Sequence, residues 1–453
     1  MNAWAPIARV AGLALLSCAP GRERAIQFED VHACRPVFSE LWSPIPVAGD
    51  VRAVVADAEE NRGGAWVLST GPAAAGADGM VVHRLPGPID ETTLPPDPLG
   101  LEATAETRVS FTPGPRDGQA WLLVQQPDST TAAFVYERGV GRVASNDALH
   151  RSSAPPAMAA PDGWIRHLIF VAGRPYLLSA PKGGQGPQLR LHLVRLSSQL
   201  AALASFDLVF DPYPETEWSD WSDSVLEQLQ VVPFTDFPRA KTTDIILQEK
   251  RTFTFDRNGL GEGSEPAHAR DEPSEQTKEY AHGSVLLRLR VAERRLEAAW
   301  HVVSSHRQWD ADSQIGEADL APPTVARDEF TTFVFEPNPW GGLYAIQHAD
   351  PARRRFLHPD PTHASVVQLP QAAAILTLTA NGADLLPLID LPDRGSDPWH
   401  DPDQEAALLQ MTPHPILSEA SLQRIQPGGR GHLVAFRHDG SATLGEIACA
   451  PRE

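Results

Sequence analysis

The chain has 453 residues, of which 42% are hydrophobic, 21% charged and 7% aromatic. This length corresponds to two or three ordinary domains or to one large β domain, and the hydrophobic fraction suffices for a core, which argues against wholesale disorder. The formal net charge of −20 argues against nucleic acid and against an anionic lipid surface as partners. Pro at 42 positions and Gly at 33 favour many short strands over long helices.

The N-terminal residues 1–17 have the features of a signal peptide. One charge, Arg9, precedes an apolar run that is too short to span a bilayer as a mature helix. The sequence Leu15-Leu16-Ser17-Cys18 resembles the lipobox of bacterial lipoproteins. That resemblance implies a lipid on Cys18 and, because Ala19 follows, an anchor in the outer membrane of the cell envelope. The alternatives are an ordinary secretory signal or a wrongly chosen start codon before a cytosolic protein.

Two further cysteines, Cys34 and Cys449, lie near the ends of the mature chain. An exported protein meets an oxidising compartment, and two cysteines suffice for one disulfide. Such a bond would contribute on the order of 5 kcal/mol and would bring the first and last strands together. Two unrelated buried thiols are the alternative. Residues 18–33 would then form a tether to a single domain at 34–453, with a reach of at most about 55 Å.

A repeat becomes visible when the apolar segments are aligned. Trp66, Trp121 and Tyr176 are spaced by 55 residues, and each follows a glycine and precedes two aliphatic residues. A strand that ends in arginine follows each of them, at 80–84, 134–138 and 191–195. Looser copies of the first segment occur at 243–247, 342–346, 374–378 and 431–435.

A repeat of this size, made of short strands, is typical of a β-propeller built from four-stranded blades. The chain between Cys34 and Cys449 holds about seven and a half such units. We therefore expect an all-β propeller of about seven blades, with six or eight as alternatives, closed into a ring by the N- and C-terminal strands. The sequence Asn61-Arg-Gly63-Gly-Ala-Trp66 resembles the Asp-box turn of sialidase-like propellers, which implies an aromatic side chain packed between blades and no catalytic residue.

Four charged stretches with few aliphatic residues predict loop insertions near 211–227, 259–283, 304–328 and 392–405. Helical periodicity is weak everywhere and is suggested only at 404–411 and 417–425.

The stretch 211–227 is the most distinctive candidate for binding. It has six carboxylates, no basic residue and three interleaved aromatic residues; the candidate binding residues are Tyr213, Glu215, Glu217, Trp218, Asp220, Trp221 and Asp223. Carboxylate oxygens suit Ca²⁺, although the spacing matches no EF-hand loop, and exposed aromatic rings suit a sugar or a protein partner. The alternative is a solvated loop whose tryptophans fold back onto the blade edge.

A second acidic stretch contains Trp399 and His400, and it would form an acidic rim with the first one if both left the same face. The pair His301 and His306 has a spacing that places the two residues on opposite faces of a regular strand, so a shared metal ion is not expected. His358 and His363 share that spacing in a proline-rich loop.

The chain contains no nucleophile elbow, dinucleotide-binding loop or phosphate-binding loop. The sequence therefore predicts no catalytic residue and favours a non-enzymatic binding or scaffold protein with a protein or glycan partner. The alternative function is a surface carbohydrate-active enzyme, a glycoside hydrolase or lyase, with carboxylates in the propeller channel. Carboxylates with arginine in that channel would favour the enzyme, and apolar or small residues would favour the scaffold.

Overall fold

The computed structural model describes residues 34–40, 45–47, 49–56, 64–72, 78–86, 94–128, 130–147, 149, 164–211, 224–234, 241–256, 276–292, 295–309, 324–327, 332–337, 343–347, 354–357, 364–368, 373–379, 382–388, 409–410, 422–427 and 432–451. The regular structure in these ranges consists of strands, as the sequence predicted. No helix in these ranges is long and apolar enough to cross a membrane.

The described strands are numbered in chain order, and they form seven sheets. Sheet 1 consists of β3 (Asp50–Ala56), β4 (Ala65–Pro72), β5 (Asp78–Leu85) and β6 (Asp97–Glu102). Sheet 2 consists of β7 (Arg108–Pro113), β8 (Gln119–Gln125), β9 (Thr131–Glu137) and β10 (Gly141–Asn146). Sheet 3 consists of β11 (Trp164–Val171), β12 (Arg174–Pro181), β14 (Leu189–Leu196) and β15 (Ala202–Phe210).

Sheet 4 consists of the short β13 (Gly184–Gln185), then β16 (Val225–Phe234), β17 (Thr242–Asp256), β18 (Gln276–Ala292) and β19 (Arg295–Trp309). Sheet 5 consists of β20 (Thr324–Arg327), β21 (Thr332–Pro337), β22 (Leu343–Gln347) and β23 (Arg354–Leu357). Sheet 6 consists of β24 (Ala364–Gln368), β25 (Ala373–Thr379), β26 (Gly382–Leu388) and β27 (Leu409–Gln410). Sheet 7 consists of β28 (Leu422–Pro427), β29 (His432–Arg437), β30 (Ser441–Pro451), β1 (Cys34–Glu40) and β2 (Ile45–Pro46).

The sheets are antiparallel meanders, and the predicted repeat corresponds to their middle strands. Trp66, Trp121 and Tyr176 lie in β4, β8 and β12, the second strands of sheets 1 to 3. The predicted segments that end in arginine fall on the third strands, β5, β9 and β14. Of the looser copies, 342–346 falls on β22, which is a third strand, and this phase difference explains why the repeat weakens in that part of the sequence.

Consecutive sheets pack face to face through apolar side chains. Trp66 and Leu68 of β4 face sheet 2, whereas Ala65 and Val67 face sheet 7. Similar clusters join sheet 2 to sheet 3 and sheet 3 to sheet 4. The middle strands are therefore buried on both faces, and burial of each large aliphatic side chain stabilises the fold by about 1.5–3 kcal/mol.

The predicted aromatic packing between sheets is present. The Trp66 ring lies 5.2 Å from the Tyr136 ring of sheet 2. The Trp66 Nε1 donates to the Gly118 carbonyl at 3.2 Å. The Trp121 ring meets Phe170 of sheet 3 edge to face at 5.4 Å. Gly118 has a φ of +70°, which glycine adopts without strain, so a glycine-dependent turn supports the contact.

The first long strand of each sheet, here called its first strand, neighbours the first strand of another sheet. The first strands are β3, β7, β11, β16, β20, β24 and β28. β28 contacts β3, β3 contacts β7, β7 contacts β11, and β11 contacts β16. On the other side, β28 contacts β24, and β24 contacts β20. The N-terminal β1 pairs with the C-terminal β30, with Cys34 opposite Pro451 and Cys449 opposite Pro36. The two cysteines are thus diagonal neighbours on paired strands, a larger separation than directly opposite positions have. The backbone of both cysteines is described but their side chains are not, so the Cys34–Cys449 bond stays a prediction.

Parts of the predicted loops and helices are strands. β16 begins at Val225, β18 already includes 276–283, and β19 continues to Trp309, so the predicted insertions 211–227, 259–283 and 304–328 were drawn too long. The helical hypotheses for 404–411 and 417–425 are wrong at Leu409–Gln410 and from Leu422 onward, which are strands. Sheet pairing of these edges overrides their local propensity, as it commonly does for short segments.

Candidate functional site

The predicted binding residues of the segment 211–227 lie outside the described residues. Tyr213, Glu215, Glu217, Trp218, Asp220, Trp221 and Asp223 all fall in the undescribed range 212–223. The predicted lipidation site Cys18 and the second acidic stretch 392–405 also lie outside the described ranges. What the structure does define is the frame of the segment: Asp211 follows the last strand of sheet 3, and Ser224 precedes the first strand of sheet 4.

A buried ion pair lies at the base of this segment. Arg251 and Glu249 of β17 are 0% and 1% exposed, and the guanidinium donates from Nε and Nη2 to one carboxylate oxygen at 3.0 Å. Arg251 also donates to the Ser224 hydroxyl at 3.1 Å and to the carbonyls of Gly186 and Pro187. The same side chain therefore binds β17, the C-terminal end of the segment and the connection after β13.

The backbone reinforces this anchor. The Gly186 N–H donates to the Ser224 carbonyl at 2.9 Å, and β13 pairs with the first residues of β16. A buried ion pair is favourable only when further hydrogen bonds compensate for the lost hydration of both charges. Arg251 has such bonds to Ser224, Gly186 and Pro187, and they fix the C-terminal base of the segment to sheet 4 and to the connection between β13 and β14.

Polar side chains also cover the free edge of β11, the first strand of sheet 3. Gln125 donates to the Trp164 carbonyl at 2.5 Å and accepts from the Arg166 N–H at 3.1 Å. The Ser110 hydroxyl accepts from the Leu168 N–H at 3.2 Å. An edge strand exposes a row of backbone groups, and here side chains of the neighbouring sheet satisfy them. The side chains of Gln125 and Ser110 therefore have a structural role at this edge.

The first strands carry few carboxylates. In the seven strands β3, β7, β11, β16, β20, β24 and β28, the acidic residues are Asp50 and Glu227. The arginines of the same strands are Arg52, Arg108, Arg166, Arg327 and Arg424. The described first strands therefore do not supply the carboxylate cluster that the alternative hypothesis of a carbohydrate-active enzyme requires.

One of these arginines, Arg108, acts electrostatically on a histidine. Arg52 and Arg108 are exposed, whereas His167 of β11 is partly buried. Burial, together with the positive charge of Arg108, lowers the pKa of His167 to about 4. The imidazole is therefore neutral at physiological pH, and the positive charge beside it comes from the Arg108 guanidinium.

An exposed clamp joins the outer strands of sheets 1 and 2. Arg142 of β10 donates to both oxygens of Asp97 of β6 at 2.8 and 2.5 Å, and the Tyr136 hydroxyl donates to the same carboxylate at 2.8 Å. Burial and the adjacent carboxylate raise the pKa of Tyr136, so its hydroxyl stays protonated and remains a donor. The arrangement stabilises the contact between the sheets and leaves no reactive group free.

The histidine pair of β19 corrects one expectation. A one-residue bulge lies at Val303, so His301 pairs with Leu286 and His306 pairs with His282, two positions four residues apart on β18. The assumption of a regular strand, from which opposite faces were predicted, therefore does not hold. The described residues contain no group of three or more His, Cys, Asp or Glu that could hold a metal ion.

Comparisons with known proteins give distant likenesses. No protein-family model matches the chain, and no curated protein matches it. The structure of BBS1N in complex with ARL6DN matches at 11% identity and a TM-score of 0.39, covering 91% of this chain and 98% of that chain. The polysaccharide lyase Uly1 matches at 7% identity and a TM-score of 0.38, covering 89% and 90%.

A third likeness is to a subtype N11 neuraminidase-like protein from a flat-faced bat. It has 10% identity and a TM-score of 0.26, and it covers 71% of this chain and 92% of that chain. All three scores are too low to carry an argument about function, so the functional inference depends on the residues of this chain alone.

Proposed function

We propose that this protein is a lipid-anchored, non-enzymatic binding protein of the outer membrane. In this proposal the seven sheets are the blades of a closed propeller, and the partner, a protein or a glycan, binds through the segment 211–227. The buried Arg251–Glu249 pair carries the proposal, because it holds the base of an acidic, aromatic segment on a rigid frame. Binding residues are commonly placed on loops that a rigid scaffold positions.

The alternative function, a carbohydrate-active enzyme, gains little support from the described first strands. It requires a pair of carboxylates in the channel. Among the first strands, Asp50 and Glu227 are the acidic residues, and Lys250 lies 3.8 Å from Glu227. Polar side chains at the edge of β11 are bonded to backbone.

The topology argues against an acidic rim shared by the two acidic stretches. The segment 212–223 joins the last strand of sheet 3 to the first strand of sheet 4, whereas 389–408 joins the third and fourth strands of sheet 6. Antiparallel strands reverse direction at each connection, so these two kinds of connection leave opposite ends of a sheet. In the proposed propeller the two stretches lie on opposite faces, and 211–227 acts alone.

The test compares the double variant Trp218→Ala/Trp221→Ala with the single variant Trp399→Ala, which alters the other acidic stretch. Each protein is crosslinked in separated membrane fractions, captured and analysed by mass spectrometry, and each is also applied to a glycan array. We expect wild type and Trp399→Ala to retain one stoichiometric protein or one glycan that the double variant loses. Equal retention by all three proteins, or turnover of a glycan by the wild type, would contradict the proposal.

The membrane anchor and the ring have tests of their own. Cys18→Ala should move the protein from the outer-membrane fraction to the soluble fraction, because about 0.8 kcal/mol per buried methylene is lost with the acyl chains. A Cys34–Cys449 bond should give one linked peptide in a non-reducing digest. Recovery of wild type from the cytosol would refute both the lipid and the disulfide.

A further inference from the structure

Arginines recur at the starts of neighbouring first strands. Arg424, Arg52 and Arg166 are each the third residue of their strands, β28, β3 and β11, and Arg108 is the first residue of β7. These four strands are successive neighbours. The recurrence stands out because the whole chain has 38 basic and 58 acidic residues, whereas the seven first strands carry five arginines and two carboxylates.

Hydrogen bonds show that two of these arginines lie at one level. Arg108 pairs with Gln125, and the Gln125 side chain accepts from the backbone N–H of Arg166 on the neighbouring strand. Two residues further along both strands, Ser110 accepts from the N–H of Leu168. The strands β7 and β11 therefore run in the same direction, and their N-terminal ends lie together.

The side chains of Arg52 and Arg108 are exposed, and neither forms an ion pair with any residue in the described ranges. Arg52 is the extra residue of a β-bulge, because Val51 pairs with Ser69 and Ala53 with Leu68. Bulges commonly redirect a side chain at the rim of a sheet. Burial, together with the charge of Arg108, lowers the pKa of His167 on the neighbouring strand, so this imidazole adds no further positive charge.

We propose that Arg52 and Arg108, which lie at the starts of the neighbouring strands β3 and β7, form a binding site for a polyanionic oligosaccharide at the N-terminal ends of the first strands. Guanidinium groups bind carboxylate and sulfate oxygens through paired hydrogen bonds, and several such groups on neighbouring strands match a ligand with repeated anionic groups. The surrounding acidic chain repels polyanions elsewhere, which confines them to this place. The site uses no residue of the segment 211–227, so it stands independently of the proposed function.

The experiment measures binding by calorimetry at low and at physiological ionic strength. The probes are an oligogalacturonate, a heparin oligosaccharide, a neutral glucan of equal length and inorganic phosphate. The proteins are wild type, Arg52→Gln, Arg108→Gln and the control Arg190→Gln, which removes an exposed arginine of β14. Thermal unfolding of each variant verifies that it is folded.

We expect the oligogalacturonate or the heparin oligosaccharide to bind wild type and Arg190→Gln equally, and Arg52→Gln and Arg108→Gln about tenfold more weakly. Preference for one of the two assigns the anionic group as carboxylate or sulfate. The bound ligand should also move the titration of His167, followed by NMR, to higher pH. Absence of binding by both polyanions, equally tight binding of phosphate or the neutral glucan, or an equal loss in Arg190→Gln would each overturn the proposal.

Discussion

Removal of the Arg251 side chain is expected to be among the most destabilising single changes in the described core. Arg251→Met leaves the Glu249 carboxylate buried at 1% exposure and deprives it of the guanidinium that lies 3.0 Å away. Breaking one partner of a buried ion pair typically costs 3–5 kcal/mol, because an uncompensated charge remains. The lost bonds to Ser224 and to the Gly186 and Pro187 carbonyls act in the same direction. We expect a loss of about 4 kcal/mol.

Substitution of the other partner, Glu249, should cost less stability. Glu249→Gln keeps an acceptor for Arg251, and the guanidinium retains its bonds to the hydroxyl and the two carbonyls. We expect a loss of about 1–2 kcal/mol for this variant. A matched control is Arg290→Met, which breaks the exposed pair with Glu297 and should cost less than about 0.5 kcal/mol.

Urea unfolding followed by tryptophan fluorescence measures all three variants. The reasoning is refuted if Arg251→Met costs less than Glu249→Gln, or if it costs no more than Arg290→Met. In either case the pair would not be the anchor that the proposed function requires. Arg251→Met should also weaken retention of the partner in the capture experiment, because the base of the segment 211–227 loses its fixed position.

Three further variants test other contacts. Asp97→Asn removes a carboxylate that accepts two bonds from Arg142, and because both side chains are partly exposed we expect a loss of about 1 kcal/mol that shrinks at high salt. The folded-state pKa of His167 is about 4, so the unfolded chain takes up the proton first as the pH falls. The wild type therefore loses up to about 3 kcal/mol of stability between pH 6.5 and 4. His167→Gln should remove this loss. Val209→Lys should reduce self-association at high protein concentration, because β15 is an outer strand on which Val209 is 49% exposed.

A different outcome would contradict each of these three predictions. Salt-independent stability of Asp97→Asn relative to wild type would show that the clamp is not electrostatic. An unchanged slope of stability against pH in His167→Gln would show that another group titrates in that window. For the strand edge, the control is Val143→Lys on β10, an edge strand that Arg142 and a β-bulge already protect. An equal effect of both lysines would mean that the edge of β15 has no special role.

The sequence could predict the strands and their repeat because these depend on short-range patterns. The 55-residue spacing of Trp66, Trp121 and Tyr176 marked the second strands of three sheets, and the large apolar side chains around them are those that pack between sheets. The repeat faded where the looser copy at 342–346 fell on a third strand rather than a second.

The ends of the insertions were harder to predict. Charged and polar residues at 276–283 and at 304–309 indicated loops, yet these residues extend β18 and β19 in register with each other. Pairing with a neighbouring strand satisfies backbone hydrogen bonds whatever the side chains are, so a charged sequence can be a strand when a partner lies beside it.

The residues of the candidate sites were missed for a related reason. Glu249 and Arg251 are ordinary charged residues in the sequence, and only the contact between β17 and Ser224 makes them a buried anchor. A signal for the arginines of the first strands was present, since Arg52, Arg108 and Arg166 recur at nearly the period of the repeat. An alignment of the first strands, rather than of the aromatic segments alone, would have found it.

The sequence by itself determined the all-β composition, the length of the repeat and the aromatic residues that pack between sheets, because strand formation follows from residues close in the chain. Tertiary structure decided which charged residues are buried and which strand edges are covered. Those properties depend on residues that are more than 50 positions apart, such as Gly186 and Arg251 or Ser110 and Leu168. Such pairs are brought together only when one sheet packs on the next.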